Sequence, residues 1–422
     1  MSDLLLTPRD GLPAVIENPD QWREATHQIL QGRGPIAIDA ERASGYRYSQ
    51  RAYLIQVKRD GGGLHLFDPI LLASHGGVDW HNLSHELSDE EWVIHASTQD
   101  LPCLREIGIH PKRLFDTELG ARIAGCERVG LGSLTEELLE ITLEKEHSAV
   151  DWSKRPLHTE WLNYAALDVD VLLDLRYEVE DLLQEQGKLE WAKEEFAAIV
   201  SAEPAPAREE PWRRTSGMHK VRDRLTMGLV KVLWEARDLY ASQVDVAPGR
   251  IFNDATLIEL ALTRPATEKL FHQLLTKKTR YTDLPSADWF MAFSAVLAQS
   301  ADQLPELRRP SGALPPIKVW KQKNPLAYAK ISHARAAVSE LSGELRIPVE
   351  NLLSPETLRR LCWSKADSHH VTSSMVESFL HLHGARPWQI QLLAERLVEP
   401  LAATEPLPVA PDGQTEETSQ EE

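Results

Sequence analysis
The 422 residues exceed one ordinary domain, and 42% hydrophobic with 26% charged residues suffices for sizeable buried cores. No run of 18 apolar residues occurs, which argues against a membrane-spanning helix, and Leu4–Leu6 among acids makes no signal peptide. The net charge of −18 is uneven: residues 1–210 carry −19, 211–310 carry +4, 311–400 carry +3 and 401–422 carry −6.

An acidic front and a mildly basic rear fit chemistry in front and phosphate contact behind, and plain surface charge fits them as well. Cys103, Cys126 and Cys362 lie far apart without CxxC spacing, so no zinc site or disulfide framework is implied and a reducing cytoplasm is expected.

In chain order, Pro35–Ala40 is a short apolar run ending in acids. Tyr53–Val57 and Leu64–Phe67 are β-rich runs separated by a glycine turn at Lys58–Gly63, and Trp92–Ala96 is a further short strand. Helical patterns follow at Leu101–Ile107, Glu118–Ala124, Ser133–Leu139 and a long one from Thr159. A hairpin-containing sheet flanked by helices is an α/β architecture. Ser201–Pro211 (SAEPAPAREEP) reads as a linker, and the prolines between Leu304 and Pro325 mark a second break. The tail after Pro400 is acidic and poor in large apolar groups, so it is expected to be disordered. The expected organisation is 1–203 catalytic, 204–211 linker, 212–300 helical, 301–322 linker, 323–402 helical and 403–422 tail.

The rear half repeats itself. At a constant offset of 101, Ala236, Val246, Ile251, Phe252, Thr256, Leu257 and Leu260 align with Ala337, Ile347, Leu352, Leu353, Thr357, Leu358 and Leu361. Both copies read helix, short Pro-containing turn, helix, which suggests two related all-α domains.

Asp39 and Glu41, at i and i+2 of the first core strand, point to one face. An apolar strand ending in two acids on one face suits a bound cation, though a solvent-exposed strand end has the same pattern. Asp100 opens the helix after Trp92–Ala96, where an N-cap role and a functional one both fit. Tyr164 and Asp168 share a helical face at i and i+4, as a surface pair would too. If the four acids converge, their oxygens suit Mg²⁺ or Mn²⁺. Two such ions roughly 4 Å apart clamp the attacking and leaving oxygens of an in-line phosphoryl displacement, and the tyrosine hydroxyl can orient the attacking water.

Asp39-Ala40-Glu41, His95-Ala-Ser-Thr-Gln-Asp100-Leu101 and Tyr164-Ala-Ala-Leu-Asp168 resemble, in order, the three motifs of the DEDDy 3′→5′ exonucleases. Asp151-Trp-Ser-Lys-Arg155-Pro-Leu157 is similar to the DWxxRPL signature of the ribonuclease D group, as are Phe115-Asp116-Thr117 and Gly130-Leu-Gly-Ser-Leu134. The resemblance covers about residues 12–200 and implies a ribonuclease H-like exonuclease domain of mixed sheet and flanking helices. It implies that Asp39, Glu41 and Asp168 hold one metal ion, and that Asp39 and Asp100 (the latter through water) serve a second. It also implies that Tyr164 stands where sister enzymes use histidine. His95 replaces the asparagine of many relatives, leaving its role open. The rear half resembles HRDC domains through Leu233–Asp238 and Val246–Asp254, with a more diverged copy at Leu345–Leu361. Such modules offer Lys and Arg to phosphates without reading bases. Candidates are Lys220, Arg222, Arg224, Lys231, Lys277, Lys278, Arg280, Lys318, Lys321 and Lys323.

Tyr46, Arg47 and Tyr48 are candidates to stack or hold a terminal nucleotide. Trp152 is a candidate for the core and equally for the lining of the site, and Lys154 and Arg155 are further substrate candidates. Gly130-x-Gly132 lacks the third glycine of a dinucleotide site, no P-loop occurs, and His369, His370, His381 and His383 lack accompanying ligands. The expected activity is release of nucleoside 5′-monophosphates from a free RNA 3′ end, with tRNA precursors and other structured small RNAs as partners. No nucleoside triphosphate or membrane partner is expected, and the chain is expected to be monomeric. A DNA exonuclease of the same fold and a catalytically silent RNA-binding module are the alternatives. Missing helicase motifs and the DWxxRPL segment favour RNA. Deleting 212–422 is expected to weaken RNA binding yet spare the chemistry on short RNA.

Overall fold
The computed structural model describes residues 3–143, 150–204, 206–277, 279–281, 283–308, 314–365 and 370–408. Lys278, His369 and the tail from residue 409 lie outside them. The strands are β1 (Asp3–Leu5), β2 (Val15–Ile16), β3 (Arg33–Arg42), β4 (Ala52–Asp60), β5 (Gly63–Phe67), β6 (Glu91–Ile94), β7 (Arg113–Asp116) and β8 (Ile141–Leu143). The front helices are α1 (Pro19–Gln31), α2 (Pro69–His75), α3 (Trp80–Glu86), α4 (Leu101–Glu106), α5 (Thr117–Ala124), α6 (Leu131–Leu138), α7 (Thr159–Asp170), α8 (Leu172–Glu185) and α9 (Leu189–Ser201). Behind them come α10 (Arg224–Val244), α11 (Pro248–Ile251), α12 (Asp254–Thr263), α13 (Glu268–Thr276) and α14 (Ser286–Leu297). Then follow α15 (Trp320–Lys323), α16 (Pro325–Leu345), α17 (Val349–Leu352), α18 (Pro355–Ser364), α19 (Ser373–Leu382), α20 (Pro387–Leu393) and α21 (Val398–Ala402).

The chain divides into two compact units. One comprises Met1–Thr117, Gly130–Glu178 and Ile199–Pro310; the other comprises Glu118–Val129, Val179–Ala198 and Ser311–Glu422.

The first unit is built on a six-stranded mixed sheet of order β2-β5-β4-β3-β6-β7, in which β3–β4 and β4–β5 are antiparallel and the rest parallel. Strand β3 is longer than its apolar run suggests, because Arg33–Pro35 and Glu41–Arg42 extend it at both ends. Ile36, Ile38 and Ala40 fill one face and are buried; Asp39 and Glu41 lie on the other. Helix α7 covers that other face through Ala165 and Ala166, which pack with Leu54, Leu66, Ala43 and Trp152. Two consecutive alanines let the helix axis approach the sheet closely, so short carboxylates on α7 can reach β3. Strand β7 and the two-residue β2 escaped the sequence pattern, being too short to show a period.

The rest of the first unit is all-α. Asp223 caps α10 by accepting from the Thr226 amide, and Asn253 caps α12 by accepting from Thr256. Leu229, Leu233, Ile251, Phe252, Leu257, Phe271 and Phe293 form its core. Leu304, expected in a linker, is buried in that core because a large apolar side chain in a proline-rich stretch still finds a partner.

The second unit repeats the first unit's helical design. Helices α10 and α16 each have 21 residues, starting 101 residues apart, as do α11 and α17, and α12 and α18. Each long helix stops at a left-handed residue, Asp245 with φ 47° and Arg346 with φ 53°. The aligned Ile251, Phe252, Leu257 and Leu260 are buried, as are Leu352, Leu353, Leu358 and Leu361.

Candidate nuclease site
The end of β3, the turn after β6 and the last turns of α7 meet around a cavity of about 380 Å³. Asp39, His95, Gly130–Ser133, Leu143, Tyr164, Asp168 and Leu172 line it. Ligand oxygens of Asp39, Glu41 and Asp168 lie within 4.8 Å of one another. Asp100 completes the group: its carboxyl shares a hydrogen bond with Asp39 and lies 3.4 Å from the Arg42 guanidinium. Asp100 sits at the N-cap position of α4 but makes no side-chain cap hydrogen bond. Its carboxyl is therefore turned to the acid cluster and away from the helix amides.

The turn that presents Asp100 is held by a residue given no role from sequence. Buried Asp116, at the end of β7, accepts from the Ala96 amide, the Ser97 amide at 2.8 Å and the Ser97 hydroxyl at 2.6 Å. Those bonds fix Ala96 in the left-handed region at φ 55°, a strained conformation that surrounding structure must enforce. The aspartate at the end of an apolar run in Phe115-Asp116-Thr117 was the available signal. Next to it, His95 Nδ1 lies 2.9 Å from the Thr117 hydroxyl, which orients the imidazole at the cavity wall.

Four carboxylates in one half-buried cluster cannot all be charged without a counter-ion. Burial raises Asp39 and Asp168, and pushes Glu41 well above the carboxylate range with help from the charges of Asp39, Asp168 and Asp100. Asp100 is pushed up to about 8, first by burial and then by the Asp39 charge. Tyr164 is raised by burial and by Asp168, Glu41 and Asp39, and its hydroxyl donates to Asp168. All-oxygen donors crowded in this way fit hard divalent cations, whose charge reverses the repulsion.

The remaining candidates divide. Lys154 is exposed. Trp152 does not line the cavity: it is fully buried beside Ala165 and Ala166, edge-on to Trp161 at 5.8 Å. Arg155 is a structural tie, since its guanidinium pairs with buried Asp68 and donates to the carbonyls of Trp152 and Tyr53. With its donors so engaged it has little left for a phosphate, and the signature arginine serves the fold. Arg47 donates to the Ser153 hydroxyl at 2.8 Å, and the Tyr46 ring carries the Arg250 guanidinium at 3.9 Å. Arg224 is likewise tied to Leu304, Pro305 and Glu306.

Residues 13–184 match a family described as 3'-5' exonuclease, 227–284 the HRDC domain and 313–401 a 3' to 5' exonuclease C-terminal domain. Ribonuclease D of Acidiphilium cryptum is 31% identical over 278 residues, 64% of this chain and 67% of that one. Ribonuclease D of Granulibacter bethesdensis is 33% identical over 179 residues, 41% of this chain and 44% of that one. The matches thus span about half to two thirds of these curated relatives. A solved protein from Bifidobacterium adolescentis is 35% identical, with a TM-score of 0.84 over 95% of this chain and 100% of that one. Escherichia coli RNase D, described as an exoribonuclease involved in structured RNA processing, shares the fold. Its TM-score is 0.64 at 22% identity, covering 92% and 98% of the two chains.

Residues 13–184 thus form a domain of the 3'-5' exonuclease class with a ribonuclease H-like sheet, followed by one HRDC domain and a helical C-terminal domain that matches a family of its own rather than a second HRDC copy. The chain belongs to the ribonuclease D family.

Proposed function
We propose that the chain is a divalent-metal-dependent 3′→5′ exoribonuclease that releases nucleoside 5′-monophosphates. Its substrates are the free 3′ ends of RNA, tRNA precursors and other structured small RNAs among them. The observation that supports this reading is that Asp39, Tyr164 and Asp168 line one cavity, with Glu41 and Asp100 joined to the same acid cluster from three separate elements in all. Asp39, Glu41 and Asp168 would hold one Mg²⁺ or Mn²⁺, and Asp39 with Asp100 a second. When bound, such ions supply the charge that clamps the attacking and leaving oxygens of an in-line displacement. The Tyr164 hydroxyl, which donates its one proton to Asp168, would hold the attacking water through its oxygen. The Arg42 guanidinium fixes Asp100 from outside the cluster.

In this reading residues 1–203 carry the chemistry, and the domains at 212–300 and 323–402 contact RNA phosphates, exposed Arg222 and Lys220 among the contacts. The protein acts as a monomer in the cytoplasm. Cys103 and Cys362 are buried free thiols, in keeping with a reducing compartment. No described helix is long and apolar enough to cross a membrane.

Purified protein with Mg²⁺ or Mn²⁺ is given a 3′-extended tRNA and matched single-stranded DNA, each with free and blocked 3′ ends. Stepwise 5′-monophosphate release from the free RNA ends is expected. DNA cut as fast as RNA, or RNA binding with no metal-dependent product, would overturn the proposal. Asp39→Ala should bring turnover to background with RNA affinity largely kept, and Tyr164→Phe should lower turnover strongly.

A further inference from the structure
The loop of residues 44–51 follows directly on the strand that carries Asp39, Glu41 and Arg42, and it is grasped from the first helical domain. Asp245, the left-handed residue ending α10, accepts from the Ser49 amide at 2.9 Å. It also accepts from the Tyr53 hydroxyl and the Arg51 guanidinium, each at 3.4 Å. The Ala247 amide donates to the Tyr46 carbonyl at 3.1 Å, Arg250 donates to the Gly45 carbonyl while stacking on Tyr46, and the Tyr48 hydroxyl donates to Asp238 at 3.0 Å. From its other side the loop is tied by Arg47 to Ser153, whose hydroxyl donates to Asp151 at 2.6 Å. Partial burial opposes ionisation of Asp245, yet the Ser49 amide and hydroxyl and the charge of Arg51 hold it below the ordinary carboxylate range.

The placement gives these contacts leverage. The β3–β4 register slips by one between Glu41 and Arg42, so the ladder is interrupted where the metal-ligand strand ends. Beyond that irregularity, the loop's anchorage sets where Arg42, and with it Asp100, comes to rest. We infer that Asp245 is a positioning residue of the nuclease site: the first helical domain completes the active site by holding loop 44–51, in addition to any contact with RNA. This rests on the nuclease reading of the cavity, and it reverses the expectation that deleting 212–422 spares the chemistry.

The test uses the full chain. Asp245→Gly keeps, and even favours, the left-handed corner while removing the carboxylate; Asp245→Asn keeps both the corner and an acceptor for the Ser49 amide. In Asp245→Gly the thermal midpoint should stay near wild type and the Ser49 amide should exchange faster. Its kcat on a short 3′-hydroxyl RNA should fall about tenfold or more, as for a small misplacement of catalytic groups, with KM near wild type. Asp245→Asn should restore exchange protection and kcat together. Wild-type kcat, or a Ser49 amide still protected, in Asp245→Gly overturns the inference. A wild-type protein without metal-dependent turnover would instead overturn the nuclease reading, and Ser49 exchange would still decide whether Asp245 holds the loop.

Discussion

The two helical repeats use one corner for the same task with opposite chemistry. In the first, Asp245 and Arg250 meet the 44–51 loop through an amide–carboxylate bond, carbonyl bonds and a cation–π contact. In the second, the aligned Arg346 contributes its backbone: the Leu345 carbonyl accepts from Lys188 at 2.6 Å, and the Arg346 carbonyl lies against Gly125. Lys188 also donates to the Ile123 carbonyl at 2.9 Å, so one buried ammonium ties the ends of α5 and α16. The backbone turn is preserved, with Val246 and Ile347 amides returning to Ala241 and Ser342, while the side chains around it have diverged. A left-handed helix end offers a projecting, rigid point that any front-domain segment can be fitted to, which explains why the corner is kept and its chemistry is not.

The sharpest way to break this comparison is one methyl group. Gly125 has φ +87°, and an added Cβ would come within 2.6 Å of the Arg346 carbonyl oxygen. Gly125→Ala should therefore lose about 3 kcal/mol or more of unfolding free energy, combining backbone strain with overpacking. Gly45, whose carbonyl meets Arg250 in the first repeat, has φ +79° but open space around its Cβ, so Gly45→Ala should lose only the strain, about 1 kcal/mol. Equal losses in denaturant melts would show that the second corner is no tighter than the first.

A smaller difference lies inside the repeats. Arg237 is buried in the first, donating to the Phe252 carbonyl and pairing with Asp254 at 2.9 Å. The aligned positions of the second hold Val338, buried, and Pro355. Arg237→Val should cost about 2 kcal/mol by unpairing those groups, less than a fully buried pair because Asp254 is partly exposed. Arg237→Val combined with Asp254→Pro should lose less than the two singles together, measured as denaturant midpoints; strict additivity would mean that the pair is not the unit that diverged.

The repeat was readable because burial at Ile251, Phe252, Leu257 and Leu260 imposes a period that survives divergence, and the acids because an apolar strand ending in Asp39 and Glu41 is a local conflict. Neither signal reaches the docking contacts. Asp245 looks like any helix-end acid, and its partner Ser49 is almost 200 residues away. The motif at Asp151–Leu157 left the roles of Trp152 and Arg155 open for a related reason: a motif marks residues without saying whether they touch substrate or, as with Arg155 on Asp68, brace the scaffold. Asp116 stayed silent because three hydrogen bonds to a turn leave no periodic trace.

The smallest expected effect separates the parts of the first corner. Arg51 lies 3.4 Å from Asp245, with side chains 47% and 30% exposed, so the pair is open to water. Exposed pairs of this kind contribute about 0.5 kcal/mol or less, because water already solvates both charges. The Ser49 amide, at 2.9 Å, offers the carboxylate a fixed backbone donor that needs no side chain to be ordered. Arg51→Ala should therefore leave stability, Ser49 amide protection and kcat near wild type, in contrast to Asp245→Gly. If Arg51→Ala loosened Ser49 as much as Asp245→Gly does, the corner would be held by charge pairing, and its grip should then weaken with added salt, which the amide bond resists.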